Sequence, residues 1–325
     1  MRRGKEAAEI RLEVHPEARR SPSPGLSGET TQAFRAGLVG LLGRTNVGKS
    51  TFLNAVIGEK LLISSTKPQA TRHRIRCILT TERAQVVFVD TPGLHEPMNK
   101  LGRRLVREAY RGLRGIDVLL YMTEPWGEVT PFDAHTLHRL EGLDVPILLL
   151  VNKIDLAKGN RLEETLIAYE ATGRFAELIP VSATRGDGLD DVVSTTIEYL
   201  PPGSPLFPPD VKCDRPLGFL IEEIIREQVF AQTFQEIPYS TTVRVRWLRE
   251  GENGLVEIQA EILVARDSQK GILIGKAGRR IKRIGIDARQ GIERLLGQRV
   301  HLDLIVGVAR GWTNDDEQIR QAIGS

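Results

Sequence analysis

Short apolar runs alternate with amphipathic stretches along the first two thirds of the chain. The apolar runs have the length of buried strands and lie at residues 36–42, 85–89, 145–151 and 178–181. Apolar residues recur at helical spacing in residues 51–57, 101–114 and 189–200. Buried strands that alternate with helices predict a doubly wound, mainly parallel sheet with helices on its faces.

The last third of the chain has a different pattern. Strand-like alternation occurs in two neighbouring segments, and helical spacing occurs before and after them. The predicted order is helix 218–230, strand 243–247, turn 252–254, strand 256–262, a pair of helices that meets at 275–278, and strand 300–308. This order predicts a second, smaller α+β domain with a three-stranded sheet.

Length and composition agree with two folded domains in a reducing compartment. The chain has 325 residues, a net charge of +3 and two cysteines, Cys77 and Cys213, which match no metal-binding spacing. Residues 1–33 are rich in charged residues, serine and proline, and they are predicted to be a disordered extension. No apolar stretch reaches the length of a membrane span and no signal peptide opens the chain, so we expect a cytoplasmic protein.

A glycine-rich loop follows the first predicted strand and opens the first predicted helix. It reads Gly43-Arg44-Thr45-Asn46-Val47-Gly48-Lys49-Ser50 and is followed by Thr51. The glycines let backbone N–H groups surround the α- and β-phosphates, Lys49 reaches the β- and γ-phosphates, and Ser50 can bind Mg²⁺. The loop therefore predicts a nucleoside triphosphatase; a glycine-rich turn with a surface lysine is the alternative.

Three shorter motifs follow later strands. Asp90-Thr91-Pro92-Gly93 follows strand 85–89, where Asp90 can meet Mg²⁺ through water and the Gly93 N–H can sense the γ-phosphate. Asn152-Lys153-Ile154-Asp155 and Ser182-Ala183-Thr184 follow strands 145–151 and 178–181. The Asp155 carboxylate can accept two hydrogen bonds from guanine, which selects GTP over ATP. Asn152 and Lys153 are predicted to hold the loop, and Ser182 with Ala183 to back the base.

Basic side chains gather around a second pair of glycines, Gly275 and Gly278. Residues 270–283 contain six lysines and arginines and no acidic residue. The element order of this region is that of the prokaryotic-type KH fold, whose Gly-x-x-Gly turn clamps a single-stranded nucleotide backbone. The predicted RNA contacts are Ile274, Gly275, Lys276, Ala277, Gly278, Arg279 and Lys282. A solvated basic helix face is the alternative.

With these motifs in this order, the chain resembles the Era family of GTPases, which join a Ras-like G domain to a KH domain. The resemblance spans residues 34–323 and also rests on the segment Gln69-Ala70-Thr71-Arg72-His73-Arg74. It implies an Era-type P-loop NTPase G domain at 34–202, a linker at 203–215 and a type II KH domain at 216–325. Thr45 and Ala70 stand where the family commonly has proline and threonine.

The resemblance also implies the residues of catalysis and of metal binding. Lys49, Thr71 and Gly93 would act on the γ-phosphate. Ser50, Thr71 and Asp90 would surround Mg²⁺. The implied cofactors are GTP or GDP and Mg²⁺.

The water-orienting glutamine of Ras-like enzymes is replaced in this chain. Its position, directly after the Asp-x-x-Gly glycine, holds Leu94, so we expect slow intrinsic hydrolysis. In related GTPases with a Gly-x-x-Asn loop, the residue equivalent to Asn46 helps to bind K⁺, which suggests K⁺ activation as a hypothesis. His73 and His95 are less suited to act as bases than to pack or to face RNA.

The motifs alone predict binding of GTP and single-stranded RNA. The Era resemblance implies binding near the 3′ end of 16S ribosomal RNA, assistance in assembly of the small ribosomal subunit, and a weak peripheral association with the inner face of the membrane. An RNA-binding module with a catalytically idle G domain is the alternative, and so is a GTPase that delivers or modifies an RNA. We expect a monomer.

Prolines are concentrated between the two predicted domains. They lie at positions 201, 202, 205, 208 and 209. Proline-rich spacers hold domains at a set distance, so this segment is predicted to be a stiff connector. The same prolines also stop the preceding helix.

Overall fold

Two separate sheets organise the chain, one of six strands and one of three. The computed structural model describes residues 33–65, 67–97, 99–251 and 254–323. Nearly all of the predicted N-terminal extension lies outside these residues, and so do Glu252 and Asn253 of the predicted turn. Within the described residues, no helix is long and apolar enough to cross a membrane.

The six-stranded sheet has the order β2-β3-β1-β4-β5-β6, and only the edge strand β2 runs antiparallel to its neighbour. Its elements are β1 (Arg35–Gly43), α1 (Lys49–Ile57), β2 (Ile75–Thr80), β3 (Ala84–Asp90), α2 (Lys100–Arg111), β4 (Val118–Thr123), α3 (Pro131–Arg139), β5 (Ile147–Asn152), α4 (Arg161–Glu170), β6 (Glu177–Val181) and α5 (Leu189–Tyr199). The predicted doubly wound sheet is confirmed; β2, β4, α3 and α4 were not predicted.

Helices cover both faces of this sheet, because its parallel strands are apolar on both sides. On one face, α1 and α5 pack over strand residues such as Val39 and Phe88, with the rings of Phe52 and Phe88 edge to face at 6.3 Å. On the other face, α2, α3 and α4 pack over residues such as Tyr121 and Leu149. The carboxyl ends of the parallel strands share one edge, where the predicted nucleotide motifs meet.

The three-stranded sheet has β7 antiparallel to β8 and β8 parallel to β9. The elements of this half are α6 (Leu217–Gln232), β7 (Thr241–Glu250), β8 (Val256–Val264), α7 (Asp267–Ile274), α8 (Arg279–Leu296), β9 (Val300–Val308) and α9 (Asp316–Ile323). Helices α6 and α8 bury one face of the sheet around Ile225, Ile258 and Ile284. The predicted KH element order is confirmed, with α9 added at its end.

One predicted alternation is wrong. The alternation predicted for strand 243–247 is interrupted, because the register of β7 shifts between Val245 and Trp247. Arg246 is the extra residue of a β-bulge, so Trp247 lies opposite Gln259 and is 37% exposed. Leu248 takes the inward position opposite Ile258.

The segment between the domains is attached to the first sheet by hydrogen bonds. The Gln85 side chain accepts from the backbone N–H groups of Leu206 and Phe207 and donates to the Phe207 carbonyl. Further on, residues 212–214 pair with β2, and Cys213 faces Cys77 across this pairing. The two cysteines, remote in sequence, are therefore neighbours. These hydrogen bonds hold the connector against the sheet; its stiffness stays a prediction.

A small apolar cluster joins the two halves directly. Leu101 and Leu105 of α2 pack with Ala265, Trp312 and Ile319, and all five are buried. The Trp312 indole N–H also donates to the Ser240 carbonyl at 2.8 Å, which fixes the ring. Helix α2 therefore packs against the C-terminal domain.

Candidate nucleotide and RNA-binding sites

The glycine-rich loop lines a cavity of about 530 Å³ at the carboxyl edge of the six-stranded sheet. Gly48 adopts a φ of 100° in this loop, and a Cβ there would lie 2.2 Å from the Asn152 amide nitrogen. Both observations require glycine. Lys49 is buried and donates to the carbonyls of Gly43 at 3.0 Å and Arg44 at 2.8 Å. Its ammonium group is thus held at the loop that would surround the phosphates.

Three oxygen-bearing side chains come together beside Lys49. The Ser50 and Thr71 hydroxyl oxygens lie 3.0 Å apart, and the Thr71 hydroxyl also lies close enough to Asp90 to lower its pKa. Asp90 is fully buried, and among the described residues no donor makes a full hydrogen bond to either carboxylate oxygen. Hard oxygen ligands with an orphaned carboxylate fit Mg²⁺, which takes few protein ligands and keeps several waters.

Lys49 and Asp90 form a buried pair of opposite charges. Burial lowers the pKa of Lys49, and the nearby Asp90 carboxylate partly restores it. Burial likewise raises the pKa of Asp90, which Lys49 partly offsets. Each charge therefore depends on the other and on the phosphates and metal that the site would bind.

The base-recognition motifs are tied to the phosphate loop through Asn152. Its amide donates to the Val47 carbonyl at 2.7 Å, and its side-chain oxygen accepts from the Ala183 N–H at 3.0 Å. The Ser182 hydroxyl donates to the Asp155 carboxylate at 2.6 Å and so fixes its orientation. One Asp155 oxygen is thereby fixed in place, and each carboxylate oxygen has a second lone pair with which it can accept from a base.

Lys153 makes a further tie. It adopts a positive φ of 66°, and its ammonium donates to the Asn46 carbonyl and to the Glu124 carboxylate, each at 2.7 Å. Glu124 follows the unpredicted strand β4, so no sequence motif singled it out.

The residue after Gly93 is Leu94, whose side chain has no polar group. Leu94 is 2% exposed and packs in the apolar layer beneath the sheet, while its N–H donates to the Gly43 carbonyl at 3.0 Å. A Cβ on Gly93 would lie 2.8 Å from the Thr45 Cα, so this loop and the phosphate loop touch.

Neither histidine faces the cavity as a base. The ring of His73 packs edge to face on Phe219 at 4.8 Å, and burial lowers its pKa to about 4. His95 Nδ1 lies 2.9 Å from the Gly93 carbonyl oxygen. Packing is the role that the structure supports for His73.

The second glycine pair forms a tight turn between α7 and α8. Gly275 has φ 73° and ψ 174°, a combination that is almost restricted to glycine, and Ala277 and Gly278 have φ of 51° and 71°. Lys276, Arg279 and Lys282 are exposed at or just after the turn. The turn therefore presents backbone N–H groups and positive charges together.

A groove of about 320 Å³ continues from this turn between α8 and β9. Its walls combine apolar and basic side chains and are formed by Ile281, Lys282, Gly285, Ile286, Arg289, Leu302 and Leu304. Of these, only Lys282 was predicted. Their 3–4 residue spacing on α8 is also that of ordinary core positions, so the sequence alone gave no means of separating them.

The comparisons with known proteins agree with this geometry. Residues 38–153 match the family described as "50S ribosome-binding GTPase", and residues 236–313 match the KH domain family. The GTPase Era of Geobacter sp. (strain M21) is 45% identical over 290 residues, covering 89% of this chain and 97% of the relative. That of Thermotoga maritima is 42% identical, covering 90% and 98%.

Solved structures give the same picture. A variant of Aquifex aeolicus Era bound to GDP·AlF4⁻ has a TM-score of 0.84 and 36% identity, covering 89% of this chain and 99% of that one. An Era in complex with MgGDPNP and nucleotides 1506–1542 of 16S ribosomal RNA has the same score and identity, covering 89% and 98%.

A phosphate-loop GTPase domain followed by a KH domain is the class that this fold and these sites define. The predicted GTPase activity is confirmed at this level, since the matched domain family and the relatives are both GTPases. The chain belongs to the Era family of GTPases.

Replacing Asp155 with Asn should relax the preference for guanine. A carboxylate accepts from both N1–H and the exocyclic amino group, whereas an amide accepts one bond and donates the other. We expect GTP affinity to fall by about ten- to 100-fold, because a hydrogen bond to a charged group contributes roughly 1.5–3 kcal/mol. Xanthosine triphosphate, with a carbonyl in place of the amino group, should bind more tightly than to the unmodified protein.

Calorimetric titration of Asp155→Asn and of a control variant with GTP, xanthosine triphosphate and ATP measures this change in affinity. Asp187→Asn is the matched control, because Asp187 is exposed in the neighbouring loop and meets Ser182 through its backbone. An undiminished preference for GTP in Asp155→Asn would mean that another residue recognises the base.

Proposed function

We propose that this GTPase binds single-stranded RNA near the 3′ end of 16S ribosomal RNA and assists assembly of the small ribosomal subunit. The observation that carries the proposal is the similarity, over 89% of the chain, to an Era bound to nucleotides 1506–1542 of that RNA. Binding would occur in the GTP state, and release would follow hydrolysis.

The KH half offers the chemistry that such an RNA needs. Phosphates would pass over the Gly275–Gly278 turn, where exposed Lys276 and Arg279 supply charge, and bases would lie in the groove against apolar side chains. Ile286 and Ile272 are 36% and 47% exposed beside this path. Exposed apolar side chains next to a basic turn are suited to unstacked bases.

For hydrolysis, we propose in-line attack of water on the γ-phosphate, with Lys49, Thr71 and the Gly93 N–H placed around it. Lys49 would stabilise charge that develops on the phosphate oxygens. Ser50, Thr71 and Asp90 would hold Mg²⁺, which would supply positive charge to the phosphates. Since Leu94 cannot orient the water, intrinsic hydrolysis should be slow and should depend on a partner.

An idle G domain is the weaker alternative. The buried charges of Lys49 and Asp90 cost free energy in a protein that has no use for them.

We propose that the protein acts in the cytoplasm and that the small ribosomal subunit is its partner. The membrane association implied by resemblance gains no support from α2, since Leu101 and Leu105, on its apolar face, pack against the C-terminal domain.

RNA should stimulate GTP hydrolysis through the KH turn. Steady-state hydrolysis is measured with and without a single-stranded RNA that copies the 16S 3′ end, and we expect a several-fold rise. Gly278→Asp should abolish the rise and leave the RNA-free rate unchanged. Its position has φ 71° and open space, which aspartate tolerates, and its charge would repel phosphate.

Gly278→Asn is the neutral matched control and should retain stimulation, whereas Gly275 is unsuited because a Cβ there would lie 2.9 Å from the Arg280 Cβ. Absence of RNA binding by the unmodified protein would overturn the KH assignment. RNA that binds without a change in rate would place the trigger elsewhere on the ribosome.

K⁺ should accelerate hydrolysis if Asn46 helps to bind it. Asn46 lines the same cavity as Lys49 and Ser50 and is exposed. We expect turnover of the RNA-bound protein to fall when KCl is exchanged for NaCl at equal ionic strength, and Asn46→Ala to lose this difference. Equal turnover in both salts would contradict K⁺ activation.

A further inference from the structure

The residue beside the metal-site threonine is buried in the other domain. Thr71 places its hydroxyl 3.0 Å from that of Ser50, and the adjacent Arg72 is 2% exposed. The Arg72 guanidinium donates to three backbone carbonyls of the KH domain, those of Thr241 at 2.7 Å, Pro238 at 2.9 Å and Tyr239 at 3.0 Å. One peptide unit therefore connects the site of catalysis to the RNA-binding half.

Two aromatic rings complete the environment of Arg72. Its guanidinium carbon lies 5.8 Å from the ring centre of Phe230 and 5.6 Å from that of Trp312. Both distances are within the range of cation–π attraction, which is strongest when the cation is desolvated. Trp312 also packs against Leu101 and Leu105 of α2. Hydrogen bonds and packed aromatic rings together therefore hold the Arg72 guanidinium in one position.

Other bonds attach the same stretch of chain to α6. Arg226, itself buried and paired with Glu223, donates to the Ala70 carbonyl at 2.6 Å. Lys67 donates to the carbonyls of Phe230 and Thr233. The stretch is therefore held on both sides of Thr71, with Arg72 as its direct neighbour.

Resting on the role proposed above for Thr71 in hydrolysis, we propose that Arg72 is a positioning residue, through which the KH domain holds the Thr71 hydroxyl in the metal site. Consecutive Cα atoms are a fixed distance of about 3.8 Å apart. A shift of the KH domain that moves Arg72 would therefore also move Thr71, whose hydroxyl lies 3.0 Å from that of Ser50. The KH domain controls hydrolysis by holding or releasing this arginine.

The variant Arg72→Gln distinguishes a loss of Thr71 positioning from a general loss of folding. We expect kcat and the affinity for a GTP analogue with Mg²⁺ each to fall on the order of tenfold, because the charged hydrogen bonds that hold the neighbour of Thr71 in place are lost. Affinity for GDP should be unchanged, since GDP has no γ-phosphate for the Thr71 site to bind. Arg74→Gln is the matched control, because Arg74 carries the same side chain two residues away and is exposed.

Trp312→Leu tests the same contact from the KH side. As a single substitution it should lower kcat. When it is added to Arg72→Gln, kcat should fall little further, since both changes act on one interaction. Equal kinetics for Arg72→Gln and Arg74→Gln would overturn the proposal, and so would a parallel loss of GDP affinity. If Arg72→Gln does not fold, Arg72→Lys keeps the charge with fewer donors and is expected to show the same split between GTP analogue and GDP.

A second, independent observation concerns the two cysteines of the chain. Cys77 on β2 faces Cys213 of the linker, between the hydrogen bonds Ile78 N–H to Lys212 at 2.9 Å and Asp214 N–H to Arg76 at 3.1 Å. These flanking bonds make Cys77 and Cys213 a non-hydrogen-bonded antiparallel pair, whose Cα atoms are about 4.5 Å apart. Such a spacing is within the range of disulfides.

We infer that Cys77 and Cys213 form a reversible disulfide when exposed to a low-molecular-weight disulfide. The half-buried Cys213 thiolate attacks one sulfur of that oxidant and releases one small thiol. The Cys77 thiolate then displaces the second small thiol and closes the protein disulfide, so two protein thiols are oxidised as the oxidant is reduced to two thiols. The product would fix the linker to the sheet edge.

Oxidised glutathione is the probe, with intact mass and free-thiol titration as readouts. We expect both thiols to be lost without a retained glutathione adduct, and dithiothreitol to restore them. The reaction should accelerate with rising pH, because burial raises the pKa of Cys213 to about 11. Cys77→Ser should retain the adduct on Cys213. A stable adduct on the unmodified protein, or a disulfide-linked dimer, would overturn the inference.

Discussion

A single buried amide, that of Asn152, holds the nucleotide site together. It bonds at once to the phosphate loop at Val47 and to the loop of Ala183, and Gly48 has no room for a side chain because Asn152 lies against it. Parallel strands bring three loops to one edge, and the hydrogen bonds of Asn152, together with that of Lys153 to the phosphate loop, fix their distances. The Lys49–Asp90 charge pair and the Asp155 carboxylate then have defined positions from which to meet phosphate, metal and base.

The sequence was most informative where a function is local. A phosphate loop needs glycines and a lysine at fixed spacing, so Gly43–Ser50 could be recognised from the chain alone. The KH element order followed from periodicity in the same way. The bulge at Arg246 could not be predicted, because its alternation looks regular until β8 shows which residues face each other. Arg72, Glu124 and the Cys77–Cys213 pair depend on partners more than 25 residues away.

The side chain of Trp312, in the KH domain, contacts two separate segments of the G domain. One ring touches Arg72, which precedes β2, and also Leu101 and Leu105 on α2. The segment between α1 and β2 contacts Trp312 through Arg72. The segment after Gly93 contacts the same side chain of the KH domain through Leu101 and Leu105. Leu94 stands where Ras-like enzymes have the water-orienting glutamine, and under the proposed role of Arg72 the rate would depend on the contacts of the KH domain as well as on the G domain.

The pairing of residues 212–214 with β2 also protects the molecule. Strand β2 is an edge of the six-stranded sheet, and an uncovered edge is a template on which strands of other molecules can add. The linker occupies that edge with its own backbone donors and acceptors. The chain that joins the two domains thus also guards the G domain against aggregation, a benefit that would be lost whenever the connector detaches.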